Sequence, residues 1–259
     1  MADDVLVVTG GASGIGRAVV RLAAQSGWRV AILDRDDDQL ATVVDEVFAL
    51  GSASAHGVHC DVNSESSVEE AFADAERVLG PLTGLFVSAG IERSGFAHEI
   101  SLDNWSEVID TNLTGTFLAC RQALRSLLAV PRPASLVLCS SPASDVAYSA
   151  GAASSYSASK GGVSSLMRTL AVDYARHGIR VNAVVPGATE TPMMWANSDK
   201  VRREELRALI DSEVPLGRIA DPQEPAEAVL WLLSPQASYV TGSHLVVDGG
   251  ILAKASISF

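Results

Sequence analysis

Short apolar runs alternate with longer amphipathic stretches along almost the whole chain. The run Val5-Leu-Val-Val8 contains no polar residue, which is typical of a strand buried on both faces of a sheet. Applying the same criterion along the chain, we predict seven strands, over residues 5–8, 29–34, 55–60, 85–88, 135–139, 180–185 and 244–247.

Helices are predicted between these strands, where apolar residues recur at helical spacing. Gly27, Gly80 and Gly178 mark three helix ends, and Ser66-Ser-Val-Glu69 is a candidate capping box. The predicted helices cover 14–26, 38–50, 66–79, 105–130, 156–177, 199–210 and 222–233. This alternation predicts an α/β fold, a doubly wound parallel sheet with helices on both faces. No repeat or linker-like break interrupts residues 1–259, so we expect a single domain.

The composition narrows the classes of partner. Apolar residues make up 47% of the chain, and the formal net charge is −12. Nucleic acid and anionic membrane surfaces bind clustered Lys and Arg, so neither is an expected partner. No apolar run approaches the ~20 residues of a membrane span. Asp3 and Asp4 stand where a signal peptide would carry positive charge, so we expect a cytoplasmic protein.

Cysteine and histidine usage agrees with that location and predicts no metal centre. Cys60, Cys120 and Cys139 form no Cys-x-x-Cys pair, and we expect free thiols in a reducing compartment. His56 and His59 lie three apart in a predicted strand, so their side chains should point to opposite faces. The other histidines are scattered, and no metal site is expected.

The first candidate for chemistry is the glycine-rich stretch Thr9-Gly-Gly-Ala-Ser-Gly-Ile-Gly16. It follows a predicted strand and opens a predicted helix, which is the context of a phosphate-binding loop. Glycines let the backbone approach a pyrophosphate, and the helix N-terminus supplies N–H donors. Asp34 lies 18 residues beyond Gly16, near the offset of a ribose-binding carboxylate. The alternative role for Asp34 is a helix N-cap, but Asp36-Asp-Asp38 supplies better caps.

Tyr156 and Lys160 form the second candidate. They are four residues apart in a predicted helix, so their side chains lie on one face, one turn apart. A free phenol titrates near ~10. An adjacent ammonium favours its ionised form, so the pair can supply a general acid/base near neutral pH. Taken alone, this spacing also fits an ordinary surface helix.

With the glycine loop, this pair makes the chain resemble the short-chain dehydrogenase/reductase family over nearly its whole length. The loop matches the family's Thr-Gly-x-x-x-Gly-x-Gly motif, and further landmarks follow in the family's order. They are Asp61-Val62, Ser88-Ala-Gly90, Asn112, Ser141, Tyr156 with Lys160, Pro186-Gly187, Thr191, Val240-Thr-Gly242 and Val247-Asp-Gly-Gly250. The resemblance implies a seven-stranded Rossmann fold, a homotetramer, and hydride transfer between a nicotinamide cofactor and a small-molecule secondary alcohol or ketone.

The resemblance also implies a role for each matched residue. Tyr156 acts as acid/base, and Ser141 holds the substrate oxygen. Lys160 also binds the nicotinamide ribose, and Asn112 holds a water that leads protons to solvent. The implied cofactor-binding set is Gly10, Ser13, Gly14, Ile15, Gly16, Asp34, Asp61, Val62, Ser88, Ala89, Gly90, Tyr156, Lys160, Pro186, Gly187, Thr189 and Thr191.

The expected cofactor is NAD rather than NADP, because the Asp34 carboxylate would repel a 2′-phosphate on the ribose. Arg35 is adjacent and is a candidate partner for such a phosphate, whereas Ser13 in the glycine loop is not basic. Asp34 is therefore the residue on which we base the choice of cofactor.

The chain departs from the family pattern in two places. Ser88 stands where the family usually has Asn, and Val87 where another Asn is common, so hydrogen bonds along the central strand are expected to differ. A serine-rich loop leaves the catalytic serine open among Ser140, Ser141 and Ser144. We prefer Ser141 because of its position at the end of the strand-like run 135–139.

The sequence leaves the substrate and the function class partly open. A substrate lid is expected at about 188–213, with core packing or a subunit contact as equal alternatives. Candidate pocket residues are Glu92, Arg93, Phe96, Asp145, Tyr148 and Met193. One other function class is an epimerase or dehydratase of the extended relatives, which usually carry an added substrate domain. Another is a non-enzymatic dinucleotide sensor, which would be expected to lose one of the catalytic residues.

Overall fold

The computed structural model describes residues 4–50, 54–93, 95–147, 151–196 and 199–254, apart from the side chain of Arg202; in this part of the chain, seven parallel strands form one sheet. In chain order they are β1 (Val5–Thr9), β2 (Arg29–Asp34), β3 (Ala55–His59), β4 (Gly84–Val87), β5 (Ala134–Cys139), β6 (Ile179–Pro186) and β7 (His244–Val247). Across the sheet the order is β3-β2-β1-β4-β5-β6-β7, so the winding direction reverses between β1 and β4. The predicted doubly wound parallel sheet is confirmed.

Helices cover both faces of the sheet. In chain order they are α1 (Gly14–Gln25), α2 (Asp37–Ala49), α3 (Glu65–Leu79), α4 (Leu102–Ile109), α5 (Gly115–Ala129), α6 (Ser154–Tyr174), α7 (Pro192–Trp195), α8 (Lys200–Glu213) and α9 (Gln223–Leu233). The core on one face is shared with α1, α2 and α9, and the core on the other with α3, α5 and α6.

The apolar strands divide their side chains between these two cores. On β1, Val5 and Val7 pack toward α3 and α5, whereas Leu6 and Val8 pack toward α1 and α9. All four are completely buried. Because full burial of such a side chain stabilises the fold by about 1.5–3 kcal/mol, a strand covered on both sides favours apolar residues at most of its positions. The unbroken apolar runs of the sequence follow from this arrangement.

Most predicted element ends lie within three residues of the observed ones, but the helix predicted over 105–130 is interrupted. It begins earlier, at Leu102, because the Ser101 hydroxyl caps it by accepting from Asn104 N at 3.1 Å. A π-helical turn over Asp110–Thr114 then separates α4 from α5. Such turns insert one residue into a helix and often occur at functional sites.

Two helix caps test the sequence interpretation. The predicted capping box at Ser66–Glu69 is wrong, because the Ser64 hydroxyl caps α3 by accepting from Ser67 N at 3.3 Å. Asp36 caps α2, as expected, and accepts from Gln39 N at 3.0 Å. Asp34 is therefore not the cap of this helix.

The cysteines and histidines take structural positions. In the described ranges the three cysteines are free, and burial raises the pKa of Cys60 and of Cys120 to about 12. His56 lies 2.6 Å from Asp74 on α3 and His59 lies 2.9 Å from Asp37 on α2, so the two rings point to opposite faces as predicted. Among the described residues, no group of three or more His, Cys, Asp or Glu side chains has a metal-binding arrangement. No described helix is long and apolar enough to cross a membrane.

Candidate active site

The glycine loop leaves the end of β1 at the point where the winding direction reverses. Gly10 and Gly14 have φ of +66° and +52°, a region that L side chains rarely adopt. A Cβ on Gly16 would lie only 2.1 Å from the Gly10 carbonyl oxygen, and one on Gly10 would lie 2.7 Å from Ala89 N. The loop therefore forms a tight backbone cradle at the N-terminus of α1, where Ser13 holds the N-cap position and Ile15 the first turn. This cradle fits the pyrophosphate of a dinucleotide.

Asp34 lies at the end of β2, beside the cradle. Its Oδ2 accepts from Ala12 N at 3.0 Å and its Oδ1 accepts from Asp36 N at 3.2 Å. These contacts fix the carboxylate next to the glycine loop, where the ribose of a dinucleotide would follow the pyrophosphate.

The ends of β3 and β4 complete this side of the site. Cys60 N donates to Asp34 O at 2.8 Å, which brings the Asp61–Val62 segment beside Asp34. Asp61 accepts from Asn63 N at 3.0 Å, and Val62 packs against Gly115 of α5.

Ser88, where the chain departs from the family pattern, directly follows the end of β4 and lies next to Thr9 of β1. Ser88 N donates to Thr9 O at 3.1 Å, so the two strand ends are joined through the backbone. The Thr9 hydroxyl is buried and has no hydrogen-bond partner in the described part of the chain. The hydrogen bonding of this strand end is therefore incomplete at Thr9.

Tyr156 and Lys160 lie one turn apart near the start of α6, as predicted. The Lys160 Nζ lies 5.6 Å from the centroid of the Tyr156 ring. Lys160 is only 5% exposed, and its ammonium donates to the Cys139 carbonyl oxygen at 2.8 Å. Burial lowers the pKa of Lys160, and the nearby Cys139 thiol opposes this shift.

Asn112, in the π-helical turn, lies close to Lys160 of α6. Its Oδ1 accepts from Ile91 N at 2.8 Å, and its Nδ2 donates to Ile91 O at 2.9 Å and to Ser159 Oγ at 3.1 Å. A Cβ on Gly90 would lie 3.2 Å from Asn112 Oδ1 and 3.7 Å from Lys160 Nζ. The side chain therefore holds the segment after β4 against α6. Ser159 was missed in the sequence, although it shares a helix face with Tyr156.

The three candidate serines face different surroundings. Ser140 donates to Lys160 O at 3.3 Å and lies 2.8 Å from Ser164 Oγ, so it points into α6. The Ser144 hydroxyl contacts Ser141 O at 2.7 Å and the Asp145 carboxylate at 2.8 Å, and so binds within its own loop. Ser141 is 4% exposed, and its Oγ accepts from Ala143 N at 3.2 Å.

The segment after β6 returns to the glycine loop. Gly187 packs against Asp248, where a Cβ would meet the backbone at 2.7 Å. The Thr189 hydroxyl donates to Gly187 O at 3.1 Å. A Cβ on Gly14 would lie 3.3 Å from Thr191 Cγ2, so Thr191 lies directly against the cradle.

Two contacts bring part of the candidate pocket beside the Tyr156 end of α6. Gly95 pairs with Ala153, and a Cβ on Gly151 would lie 3.2 Å from the Phe96 ring. Arg93 donates to both carboxylate oxygens of Glu107, at 2.9 and 2.7 Å, so its charge is neutralised. Burial raises the pKa of Glu92. No sequence pattern indicates Glu107, which lies 14 residues from Arg93.

The other candidates differ in exposure. Phe96 and Met193 are exposed by 51% and 38%. Asp145 is also exposed and contacts Ser144. Tyr148 lies outside the described residues.

Comparison with known proteins covers almost the whole chain. A family profile with the description Enoyl-(Acyl carrier protein) reductase matches residues 10–252. A 2,5-dichloro-2,5-cyclohexadiene-1,4-diol dehydrogenase of Sphingobium indicum is 38% identical over 254 residues, 98% of this chain and 98% of that protein. A 3beta-hydroxysteroid dehydrogenase 1 of Eggerthella lenta is 36% identical over 263 residues, 100% of this chain and 99% of that protein. The solved structure of levodione reductase has a TM-score of 0.93 at 30% identity and covers 98% of this chain and 100% of that one.

The chain belongs to the short-chain dehydrogenase/reductase family. It is an oxidoreductase that transfers a hydride between a nicotinamide cofactor and a secondary alcohol or ketone.

Replacing Gly16 tests the backbone cradle. In Gly16→Ala the new Cβ would collide with the Gly10 carbonyl, so the loop must shift. We expect the dissociation constant of the cofactor to rise by about tenfold or more, measured by calorimetric titration. Gly161→Ala is the matched control, because a Cβ there meets nothing within 4 Å. It should leave binding intact and raise the free energy of unfolding by about 0.5–1 kcal/mol. If Gly16→Ala and Gly161→Ala bind the cofactor with equal affinity, the glycine loop is not the cofactor-binding cradle.

Proposed function

We propose that the protein is an NAD-dependent dehydrogenase of secondary alcohols and reductase of the matching ketones. The observation that carries the proposal is the convergence of Tyr156, Lys160 and Asn112 beside the glycine cradle. The proposed catalytic residues are Asn112, Ser141, Tyr156 and Lys160. The proposed cofactor-binding residues are those predicted from the sequence.

The chain's own residues handle the proton and the position of the substrate. A bound nicotinamide supplies the acceptor or donor of the hydride. In alcohol oxidation, the hydroxyl proton passes to the Tyr156 phenolate while a hydride leaves the carbon that carries that hydroxyl, so the alcohol loses one proton and one hydride, and the hydride takes both electrons. The Lys160 ammonium stabilises that phenolate, and its burial strengthens the effect because little water screens it.

The surroundings of the three serines favour Ser141 as the group that holds the substrate oxygen. Ser140 is committed to α6 and Ser144 to its own loop. Ser141 is the second residue after the end of β5, on the same loop that leads to Tyr156. Positioning of this kind converts binding energy into rate.

Asn112 is proposed to act by position and through its backbone. Its side chain is fully engaged with Ile91 and Ser159. A water on the proton path is therefore proposed to bind the main-chain carbonyl of Asn112, which also accepts from the Thr116 hydroxyl at 2.6 Å.

The substrate is proposed to be a neutral alcohol or ketone. Arg93, the candidate receptor for an anionic substrate, is paired with both oxygens of Glu107. Phe96, near the Tyr156 end of α6, and Met193, two residues after Thr191, both offer exposed apolar surface. The similar proteins named above act on a cyclohexadiene diol, a steroid and levodione, which makes ring alcohols the first compounds to test.

Removing the acid/base group tests the catalytic assignment. Tyr156→Phe and Ser141→Ala should each lower kcat/KM by about 10²–10⁴-fold while the dissociation constant of NAD stays within twofold of wild type. Steady-state rates on a panel of secondary alcohols, followed by the absorbance of the reduced cofactor, give the first quantity. Calorimetry gives the second.

Ser140→Ala and Ser144→Ala are the matched controls for that experiment. Both remove a hydroxyl from the same loop, and both should keep most of the activity. A severe loss in Ser144→Ala alone, or near-normal turnover in Tyr156→Phe, would show that the assignment is wrong. The same panel separates a dehydrogenase from an epimerase, a dehydratase or a non-enzymatic sensor, since none of these gives net reduction of NAD.

The preference for NAD is proposed to depend on the charge of Asp34. A 2′-phosphate at ~4 Å from this carboxylate is disfavoured by about 2–3 kcal/mol after solvent screening, which corresponds to about 30- to 160-fold in affinity. Asp34→Asn keeps an oxygen for Ala12 N and removes the charge, so the NAD preference should fall by at least about tenfold.

Asp37→Asn is the control for that substitution, because it removes an exposed charge of the next helix. Its preference should equal that of wild type when both cofactors are titrated. An unchanged preference in Asp34→Asn, or tighter binding of NADP by wild type, would show that Asp34 does not select the cofactor.

The protein is also proposed to act as a cytoplasmic homotetramer. An apolar groove between α5 and α6 is lined by Phe117, Leu124, Leu128, Leu170 and Tyr174, among others. Phe117 and Leu128 are 43% and 41% exposed, which favours a subunit contact. Light scattering at micromolar concentration should give about 108 kDa, four chains of 27.0 kDa. A 27.0 kDa particle would contradict the assembly.

A further inference from the structure

A cluster of four side chains connects the segment after β6 to α8. Its members are Glu190, Trp195, Arg203 and Arg207, and we call it the Glu190 cluster. The Glu190 carboxylate accepts from two different helices: Trp195 Nε1 of α7 donates to Oε1 at 2.7 Å, and Arg207 Nη2 of α8 donates to Oε2 at 2.8 Å. A single carboxylate therefore holds both helices of the expected lid.

Trp195 is the centre of this cluster. It is only 8% exposed, although Met193 beside it is exposed. The guanidinium carbons of Arg203 and Arg207 lie 6.0 and 5.3 Å from its ring centroid, and Arg203 also donates to Trp195 O at 3.3 Å. The exposed ion pair with Arg207 is the weaker contact of the carboxylate. The indole N–H to carboxylate bond is charge-assisted and shielded, which makes it the stronger one.

The backbone of Glu190 is fixed independently of the lid. Glu190 N donates to Ala220 O at 2.9 Å, and Ala220 N donates to Ala188 O at 3.0 Å. Glu190 stands between Thr189 and Thr191, the two threonines of the proposed nicotinamide segment. Its main chain thus belongs to the cofactor side of the site, and its side chain binds the lid.

We propose that Glu190 is a positioning residue that couples closure of the α8 lid to binding of the nicotinamide half of the cofactor. The inference rests on the proposed function, because it takes two of the proposed cofactor-binding residues, Thr189 and Thr191, as contacts of the nicotinamide half. If the Glu190 cluster is broken, the fraction of molecules with α8 in place falls, and the apparent dissociation constant rises by the inverse of that fraction. Glu190 does not touch the reacting atoms, so KM should change more than kcat.

Four variants test the coupling by titration with NADH in the absence of substrate. Glu190→Ala removes both contacts and should raise the dissociation constant by about tenfold. Trp195→Phe keeps a ring for the arginines but loses the N–H, and its effect should be similar. Glu190→Gln keeps an acceptor for the indole, so its effect should be at most about threefold. In the double variant Glu190→Ala with Trp195→Phe, the losses of NADH affinity from the two single variants should not add, because both residues act in one contact.

Glu213→Ala is the matched control. It removes an ion pair with Lys254 at 2.7 Å at the other end of the same helix, and it should bind NADH within twofold of wild type. Equal weakening in Glu213→Ala and Glu190→Ala would overturn the inference, since any loosening of α8 would then suffice. A larger change in kcat than in KM for Glu190→Gln would also overturn it.

Limited trypsin digestion without cofactor reports the contact itself, through cleavage after Arg203 and Arg207. Glu190→Ala should be cut several-fold faster than wild type and Glu213→Ala, and NADH should slow the cleavage in wild type but much less in Glu190→Ala. If wild type binds NADH and Glu190→Ala binds it equally well, the inference is wrong and the proposed function stands. If wild type binds neither NADH nor NADPH, the proposed function fails and the inference fails with it.

Discussion

The buried ammonium of Lys160 constrains the whole catalytic region. A charge in a protein interior is costly unless it is hydrogen-bonded, and here the acceptor is the Cys139 carbonyl. That carbonyl is in reach because β5 ends at Cys139 and α6 passes directly beside it, where Ser140 binds the Lys160 carbonyl and Ser164. The same burial that lowers the lysine pKa also leaves little water to screen its charge from Tyr156.

Asn112 extends this constraint to the dinucleotide side of the site. The Asn112 amide binds both the N–H and the carbonyl of Ile91, and these two hydrogen bonds fix the segment that follows β4. The glycine loop rests against the same chain, because Gly10 packs on Ala89. The acid/base pair and the cofactor cradle are thus connected by a few short backbone contacts, which suits a reaction in which a proton and a hydride leave adjacent atoms.

Local patterns were sufficient to predict the sheet, and tertiary contacts explain what they missed. A strand such as β1 is apolar from Val5 to Val8 because helices cover both of its faces, and that property is visible in the sequence. The start of α4 at Leu102 is also predictable from the sequence, because Ser101 is a favoured N-cap residue and Asp103 follows in the first turn. The π-helical turn was not visible, because an extra residue leaves the apolar pattern almost unchanged.

Side-chain contacts between residues that are distant along the chain were also not predictable from the sequence. The sequence shows Arg93 as a loop arginine, and only the fold brings Glu107 onto it. Glu190 and Arg207 are 17 residues apart on two elements whose relative placement no periodicity encodes. Among three neighbouring serines, Ser140 binds α6 and Ser144 binds its own loop, and neither contact is visible in the sequence.

The π-helical turn over Asp110–Thr114 also sets a length rule for anyone who recombines this chain with a relative. Each residue added to or removed from a helix rotates everything beyond it by about 100°. The wider π-helical turn absorbs one extra residue without that rotation, so deleting one residue here would restore a regular helix and move Asn112 away from Ile91. Adding a further residue would instead turn the apolar stripe of α5 toward another side of the molecule. A chimera joined between α4 and α5 must therefore conserve the residue count across the junction, because that count places both Asn112 and the apolar face of α5.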